Sequence, residues 1–198
     1  SGTIALGEKT AIILNSYTPD KIELTETEPK VIVNVDKLLQ HADGSPITAW
    51  DVDGFAFEFN LERYDGTKWN TIDTVTMRSP AQMELDMAGQ QFDAVGRYFF
   101  RVSETVGNRS GVTYDRTLRI FEVTVSDTNL DGKLEISDVR AVQHAQVTKA
   151  QDADVWTVAT DFTNTYEPAS TKLAIEAARV AYNALTAEQK ADFIEGYY

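Results

Sequence analysis

The chain has 198 residues, of which 42% are hydrophobic, it contains no cysteine, and its formal net charge is −13 at pH 7. This length leaves room for one full domain with appendages, and the hydrophobic share is sufficient for a proper core. The acidic balance argues against nucleic-acid binding, which needs a basic face, and the lack of cysteine excludes disulfides and thiolate metal sites.

The first 20 residues contain a short motif that returns near the end of the chain. Residues 12–19 (IILNSYTP) parallel residues 161–168 (DFTNTYEP), so Asn15 corresponds to Asn164. We interpret residues 1–20 either as the closing strand of a preceding domain of the same type or as an N-terminal strand of the domain that follows. We place that domain at residues 21–168 and a helical appendage, or the start of a helical spacer, at 169–198.

The main domain contains several short strands separated by turns. The clearest strand covers residues 54–62, where large apolar side chains alternate with polar ones. Further apolar alternations predict strands around 72–77, 83–87 and 121–125, and a turn is predicted at 64–69. Many short strands with turns between them indicate an all-β sandwich, and we expect its first and last strands to be neighbours.

Three strands carry a polar residue on the face that should be buried. Lys37, Glu104 and Asn164 continue the apolar faces of the strands over 31–35, 98–102 and 156–162, respectively. Burying any one of these side chains without a partner is unfavourable, and burying an unpaired charge is more so. We therefore expect the three side chains to meet and react.

The chemistry open to these three side chains is the formation of an amide bond. Burial lowers the pKa of a lysine and raises that of a glutamic acid. A neutral Lys37 amine could attack the side-chain carbonyl of Asn164, while a protonated Glu104 donates a hydrogen bond to the carboxamide oxygen and shuttles the proton. Ammonia would leave. Alternatively, the three residues lie at strand ends and reach solvent or form an ordinary ion pair; we expect the nearby Lys30 at the solvent end.

Residues 33–38 (VNVDKL), 98–104 (YFFRVSE), 111–115 (GVTYD) and 162–166 (FTNTY) carry a family resemblance. They are similar to segments of the isopeptide-forming pilin and adhesin domains of Gram-positive bacteria, of the streptococcal major-pilin kind. The resemblance covers roughly residues 26–168. It implies an immunoglobulin-like β-sandwich in which a first-strand lysine and a last-strand asparagine are joined spontaneously with help from a glutamate, which gives these roles to Lys37, Asn164 and Glu104.

The resemblance also implies a function. We expect a structural module of a cell-surface pilus or adhesin stalk, not an enzyme beyond its single intramolecular cross-link, with no cofactor and with neighbouring domains of the same protein as partners. No apolar run could span a membrane, and neither a secretory leader nor a Leu-Pro-x-Thr-Gly sorting motif is present. We therefore expect a fragment of a larger secreted protein that is attached to the cell surface or cell wall.

A ligand-binding adhesin domain, with a carbohydrate or a host protein as its ligand, is the main alternative. Aromatic residues such as Trp50, Trp69 and Tyr64 could form a platform on which sugars stack. The core of a sandwich would account for most of them equally well, so both interpretations stay open.

The sharpest competing motif covers residues 127–138 (DTNLDGKLEISD). Its spacing resembles the calcium loops of EF-hands and dockerins, with oxygen ligands from Asp127, Asn129, Asp131, the Lys133 carbonyl and Asp138. Asp131–Gly132 is also a hairpin turn signal, and the following residues continue as a plausible strand. We favour the hairpin and predict no metal site, with a calcium-binding cohesion module as a further alternative.

The C-terminal segment changes to helix-forming sequence. Residues 171–185 predict a helix with Ser170 as N-cap and an apolar stripe formed by Ile175, Ala178, Tyr182 and Leu185. Residues 186–189 form a capping box for a second short helix that includes Phe193 and Ile194 and ends at Gly196. This helical hairpin could be a spacer or docking element, or its stripe could pack against the sandwich.

Overall fold

The computed structural model describes residues 18–187 and 189–190 and consists mainly of β-strands. In chain order the elements are β1 (Ile22–Glu23), β2 (Lys30–His41), α1 (Trp50–Asp53), β3 (Phe57–Tyr64), β4 (Trp69–Met77), β5 (Met83–Leu85), β6 (Gln91–Phe92), β7 (Gly96–Glu104), β8 (Val112–Thr113), β9 (Arg119–Ser126), β10 (Glu135–Gln143), β11 (Gln146–Lys149), β12 (Val155–Tyr166) and α2 (Ala169–Ala184). The predicted Asn15 strand and the predicted helix end at Phe193, Ile194 and Gly196 lie outside the described residues.

Two five-stranded sheets form the sandwich. One has the strand order β10-β9-β7-β3-β4 with antiparallel neighbours throughout, and the other has the order β11-β12-β2-β5, with β8 pairing with the end of β12. The short strands β1 and β6 form a separate two-stranded sheet, and Phe92 of β6 is buried in the core against Phe100 of β7. The long strands β2 and β12 are parallel neighbours over their whole lengths, from the Lys30–Val155 pair to the His41–Tyr166 pair. The predicted adjacency of the first and last strands is therefore confirmed.

The core between the sheets follows from strict alternation along the strands. In β2 every second residue from Val31 to Leu39 is buried, and β12 alternates in the same way from Trp156 to Asn164. Phe59 of β3 and Phe162 of β12 meet across the two sheets with ring centroids 5.0 Å apart. Each fully buried large apolar side chain contributes about 1.5–3 kcal/mol, so the facing stripes are enough to hold the sheets together.

The strand predicted at 54–62 begins later than expected. The short helix α1 ends at Asp53 and is capped by Gly54, whose φ of 65° lies in the left-handed region that glycine adopts easily. The backbone N–H of Phe55 then donates to the Trp50 carbonyl, so the chain enters β3 only at Phe57. Phe55 is nevertheless buried, as predicted.

The loop 127–134 connects the antiparallel strands β9 and β10, which confirms the predicted hairpin. The Asp127 carboxylate accepts hydrogen bonds from the backbone N–H groups of Asp131 and Gly132. Asp131 accepts one from the backbone N–H of Lys133. These carboxylates hold the turn, and within residues 18–187 and 189–190 no group of three or more acidic or histidine side chains is arranged to hold a metal ion.

The C-terminal helix differs from its prediction at its N-terminus. Pro168, with its fixed φ, is the N-cap residue, so Ser170 lies inside the first turn and the predicted Ser170 cap was wrong. Ile175 and Tyr182 are 42% and 38% exposed, so the sandwich covers the apolar stripe only in part, and Ile175 lies beside His41 and Tyr166 at its end. Both interpretations, a spacer or docking element and a helix packed on the sandwich, stay open. Neither described helix is long and apolar enough to span a membrane.

The capping box after this helix is confirmed. The backbone N–H of Thr186 donates to Gln189 Oε1 over 2.9 Å, and the backbone N–H of Gln189 donates to Thr186 Oγ1 over 3.2 Å. This reciprocal pair satisfies two backbone groups where a new helical turn begins.

Candidate cross-linking site

The three polar side chains singled out in the sequence converge between the two sheets. Lys37 and Asn164 belong to the neighbouring strands β2 and β12, and Glu104 ends β7 in the opposite sheet. In the parallel register Lys37 is paired with Phe162, and Asn164 is paired with Leu39. Since residues two apart share a face, Lys37 and Asn164 both face the core, two positions apart along the paired strands.

One carboxyl group contacts both nitrogen atoms of this cluster. Lys37 Nζ donates to Glu104 Oε2 over 2.7 Å, and Asn164 Nδ2 donates to Glu104 Oε1 over 2.5 Å. Lys37 and Glu104 are each 6% exposed and Asn164 is 0% exposed. The alternative in which these residues reach solvent at strand ends is therefore wrong.

The surroundings of the Lys37 amine are aromatic. Its Nζ lies 4.9 Å from the ring centroid of Phe57 and 5.9 Å from that of Phe59. Burial lowers the pKa of Lys37 to about 8, although Glu104 opposes the shift. Burial likewise raises the pKa of Glu104, against the opposing effect of Lys37. Both shifts favour the pair in its neutral form, an amine beside a carboxylic acid, relative to the ion pair that these groups would form in water.

The carboxamide of Asn164 is oriented differently from the prediction. Its Oδ1 accepts a hydrogen bond of 2.7 Å from the backbone N–H of Asp115, while its nitrogen faces Glu104. A backbone N–H can only donate, so the oxygen must be the atom that faces Asp115. The expected hydrogen bond from Glu104 to the carboxamide oxygen was therefore wrong, because Asp115 occupies that side of the group.

Sequence reasoning missed Asp115 and Arg119 as members of this cluster. The Asp115 carboxylate accepts a 2.7 Å hydrogen bond from Arg119 Nη2 and one of 3.2 Å from the backbone N–H of Thr163, the residue before Asn164. Arg119 also donates to the Asp161 carbonyl and lies 3.7 Å from the ring centroid of Phe162. Two signals were available in the sequence: Asp115 closes the family-like segment 111–115, and Arg119 shares the inward face of the following strand with Phe121 and Val123.

Other sequence candidates lie elsewhere. Lys30 Nζ is 3.4 Å from Glu84 at the far end of β2. Trp50 is fully buried, with its indole N–H donating to the Ile47 carbonyl, so it cannot be part of a sugar-stacking platform. The Arg101 guanidinium lies over the Trp69 ring, 4.6 Å from its centroid, and so covers part of the second aromatic residue proposed for sugar stacking.

The fold and this cluster define an all-β domain with a lysine, an acid and a carboxamide buried together between its sheets. Residues 33–167 match the model of the FctA family, described as Spy0128-like isopeptide containing domain. Because the match spans more than half of the chain, the chain belongs to this family. The prediction of a pilin-type, all-β sandwich domain is confirmed.

Several solved structures resemble the chain at low identity. The major pilin T-13 of Streptococcus pyogenes is 18% identical, with 74% of this chain and 54% of that chain covered and a TM-score of 0.39. Another structure of the S. pyogenes major pilin is 17% identical, with 69% and 50% covered and a TM-score of 0.37. A C-terminal fragment of the pilus adhesin SpaC from Lactobacillus rhamnosus GG is 15% identical, with 68% of this chain and 52% of that chain covered and a TM-score of 0.32.

The chain thus spans about half the length of these three solved structures. The search of curated proteins found no match.

Proposed function

We propose that this domain is a structural module of a bacterial cell-surface pilus or adhesin stalk, stabilised by an isopeptide bond that it forms between Lys37 and Asn164. The observation that carries the proposal is the single buried carboxyl group of Glu104, whose two oxygens contact the attacking nitrogen and the leaving nitrogen. Neighbouring domains of the same surface protein would be its partners. Family membership and the pilin and pilus adhesin structures that resemble the chain support this role and an extracellular location.

The reaction balances without any cofactor. Lys37 Nζ, as a neutral amine, attacks Asn164 Cγ and forms the new carbon–nitrogen bond. Glu104 takes a proton from Nζ at Oε2 and delivers one to Nδ2 from Oε1, so that the carboxyl group keeps its proton count. The bond between Cγ and Nδ2 breaks, ammonia leaves, and the carbonyl is restored. Two buried polar side chains thereby become one neutral amide.

The measurement that tests this proposal is the intact mass of the purified chain under denaturing conditions. We expect a mass lower than that of the sequence by one ammonia, and a proteolytic digest should contain Lys37 and Asn164 in one branched peptide. A soluble, folded chain whose mass equals that of its sequence would contradict the proposal, because the cluster would then be an ordinary buried ion pair.

The pKa shifts predict how the rate of cross-linking depends on pH. The reactive pair carries one proton, with Lys37 neutral and Glu104 protonated. Below the raised pKa of Glu104 the pair binds a second proton, and the amine becomes an ammonium ion that cannot attack. Above about pH 8 the pair loses its one proton, so Glu104 can no longer protonate the leaving group. We therefore expect a bell-shaped profile whose alkaline limb lies near pH 8.

The profile can be measured on chain recovered unfolded from inclusion bodies, which has not yet passed through the folded state. The chain is refolded by dilution at different pH values, quenched at intervals in denaturant, and its linked fraction is read from the intact mass. Glu122→Gln serves as a control, because Glu122 is a buried carboxylate that contacts Arg97 and Arg140 rather than the cluster. A rate that keeps rising well above pH 8 would show that no protonated Glu104 is needed.

A further inference from the structure

The side of Asn164 that faces away from Glu104 is covered by the irregular segment 114–118, which links β8 to β9. We propose that the backbone amide of Asp115 is a catalytic group of the cross-linking reaction, and that the Asp115 carboxylate and Arg119 are positioning residues that hold this amide on the reacting oxygen. The inference rests on the proposed isopeptide reaction and adds to it a second polar group, distinct from the proton shuttle.

The chemistry requires a donor at this oxygen. When Lys37 Nζ adds to Asn164 Cγ, the electron pair of the carbonyl double bond moves onto Oδ1, which becomes negatively charged. Asn164 is fully buried, and Glu104 faces the nitrogen of the carboxamide. In the described part of the chain, the hydrogen bond found at Oδ1 is the 2.7 Å bond from the Asp115 N–H. This is the distance at which a fixed backbone donor stabilises a developing oxyanion.

The Asp115 amide is held in place by hydrogen bonds to the side chain of the same residue, which come both from its own segment and from β12. The Asp115 carboxylate accepts from Arg119 Nη1 and Nη2 at 3.2 and 2.7 Å and from the backbone N–H of Thr117 at 2.9 Å. It also accepts from the backbone N–H of Thr163, so the segment is attached to β12 one residue before Asn164. The amide of Asp115 and the carboxamide of Asn164 are therefore held in one rigid arrangement.

Arg119 completes the arrangement from the other direction. Its guanidinium donates to the Thr117 and Asp161 carbonyls and stacks on Phe162, the residue paired with Lys37. Arg119 is 7% exposed, and its Nε has no hydrogen-bond partner. All other buried side-chain nitrogen and oxygen atoms of the described residues have one. A largely buried ion pair with an unsatisfied donor contributes little net stability, so stability alone is a weak reason for its presence.

The charge state of Asp115 is suited to this role. Burial opposes ionisation of its carboxyl group, but the hydrogen bonds from Arg119 and Thr117 outweigh burial and hold its pKa well below the usual range. Asp115 therefore stays a carboxylate over the whole range in which the Lys37–Glu104 pair is reactive. Replacing either positioning residue should consequently lower the rate of linking at every pH. The charges of Asp115 and Arg119 act on the pKa of Lys37 in opposite directions, and both effects are smaller than those of burial and Glu104. Removing one charge therefore shifts the alkaline limb in addition to lowering the maximum rate.

The direct test replaces the amide of Asp115 by an ester in the full-length chain, which removes the N–H and leaves every side chain in place. In the refolding assay we expect linking to slow by about 100- to 1,000-fold, the usual effect of losing one oxyanion donor. The matched control is the same replacement at Val112, whose N–H donates to the Arg109 carbonyl in the same region and does not contact the cluster. Circular dichroism establishes that each variant has folded.

Side-chain variants test the positioning role. Arg119→Met should lower the maximum rate of linking and, because the Arg119 charge lowers the pKa of Lys37, should also move the alkaline limb to higher pH. Arg119→Lys keeps the charge, so it should restore part of the rate and leave the limb in place. If the ester variant links as fast as the unmodified chain, the role of the Asp115 amide is refuted while the isopeptide reaction stands. If the unmodified chain never links, the proposed function itself fails. If Arg119→Met shifts the limbs but leaves the maximum rate unchanged, Arg119 acts only through its charge on the Lys37–Glu104 pair and its positioning role is wrong.

Discussion

Lys37→Met is expected to abolish the cross-link and to lower the free energy of unfolding by about 4–5 kcal/mol, the entropic value for tying together a loop of more than a hundred residues. The proposed bond joins residues 37 and 164, so nearly the whole domain lies within the closed loop. Methionine has an unbranched apolar side chain that can fill the space between Phe57 and Phe59. Glu104, with its raised pKa, can remain buried as a neutral acid. The measurement is denaturant unfolding of both chains together with their intact masses.

The same substitution should change the response of the domain to force. Strands β2 and β12 are parallel, so the chain enters the pair at Lys30 and leaves it at Tyr166, at opposite ends of the two strands. Tension between the ends of the domain therefore shears this pair. With the bond in place, force passes from Lys37 to Asn164, and the residues between them cannot extend. In single-molecule pulling we expect the linked domain to resist extension and the Lys37→Met variant to unravel fully.

The matched control is Lys30→Met in the same strand. Lys30 forms its ion pair with Glu84 at the other end of β2, with a fifth of its side chain exposed, and exposed pairs contribute at most about 1 kcal/mol. The Lys30→Met chain should still have a mass one ammonia lower than that of its sequence, and it should still resist extension. Loss of the cross-link in Lys30→Met, or its persistence in Lys37→Met, would show that Lys37 is not the attacking residue.

The fold and the location of the cluster could be predicted because both depend on the period of a β-strand. Side chains alternate between the two faces, so the position of Lys37, Glu104 and Asn164 on otherwise apolar stripes determined which way each would face. A shift of one residue in any of these strands would have exposed a whole apolar stripe. The meeting of the three side chains follows once the first and last strands are neighbours in the sheet that faces Glu104.

The remainder depends on contacts that have no sequence period. Asp115 lies in a turn between strands, where no alternation indicates which way a side chain points. Arg119 begins β9 on the buried face of Phe121 and Val123, so alternation indicated its direction, but its partner in the turn could not be predicted. The orientation of the Asn164 carboxamide depends on a backbone N–H in that same turn. The helix stripe could not be assigned to the sandwich either, because an amphipathic pattern indicates an apolar face but does not identify what covers it.

Glu104→Gln is expected to leave Lys37 and Asn164 unlinked, because glutamine keeps nearly the same volume and can still form hydrogen bonds but cannot transfer a proton between the two nitrogens. Glu104→Ala should give the same loss. The control is Glu122→Gln, which changes a carboxylate that is 1% exposed in the same sheet as Glu104. Its mass should still be one ammonia lower than that of its sequence. Complete linking in Glu104→Gln and Glu104→Ala would remove Glu104 from the mechanism.

The unlinked Glu104→Gln chain should also acquire a pH dependence that the linked domain lacks. Its free Lys37 amine stays buried, and the loss of Glu104, which opposes the burial effect, brings the pKa of Lys37 below about 8. An unfolded lysine keeps its proton up to its ordinary value of 10.5, so between these two values the unfolded state binds more protons than the folded state. The free energy of unfolding should therefore rise with pH in this window, by about 1.4 kcal/mol per unit. The reference is the double variant Lys37→Met, Glu104→Gln, which is also unlinked and lacks the same carboxyl group. Subtracting its unfolding curves from those of Glu104→Gln therefore isolates the buried amine.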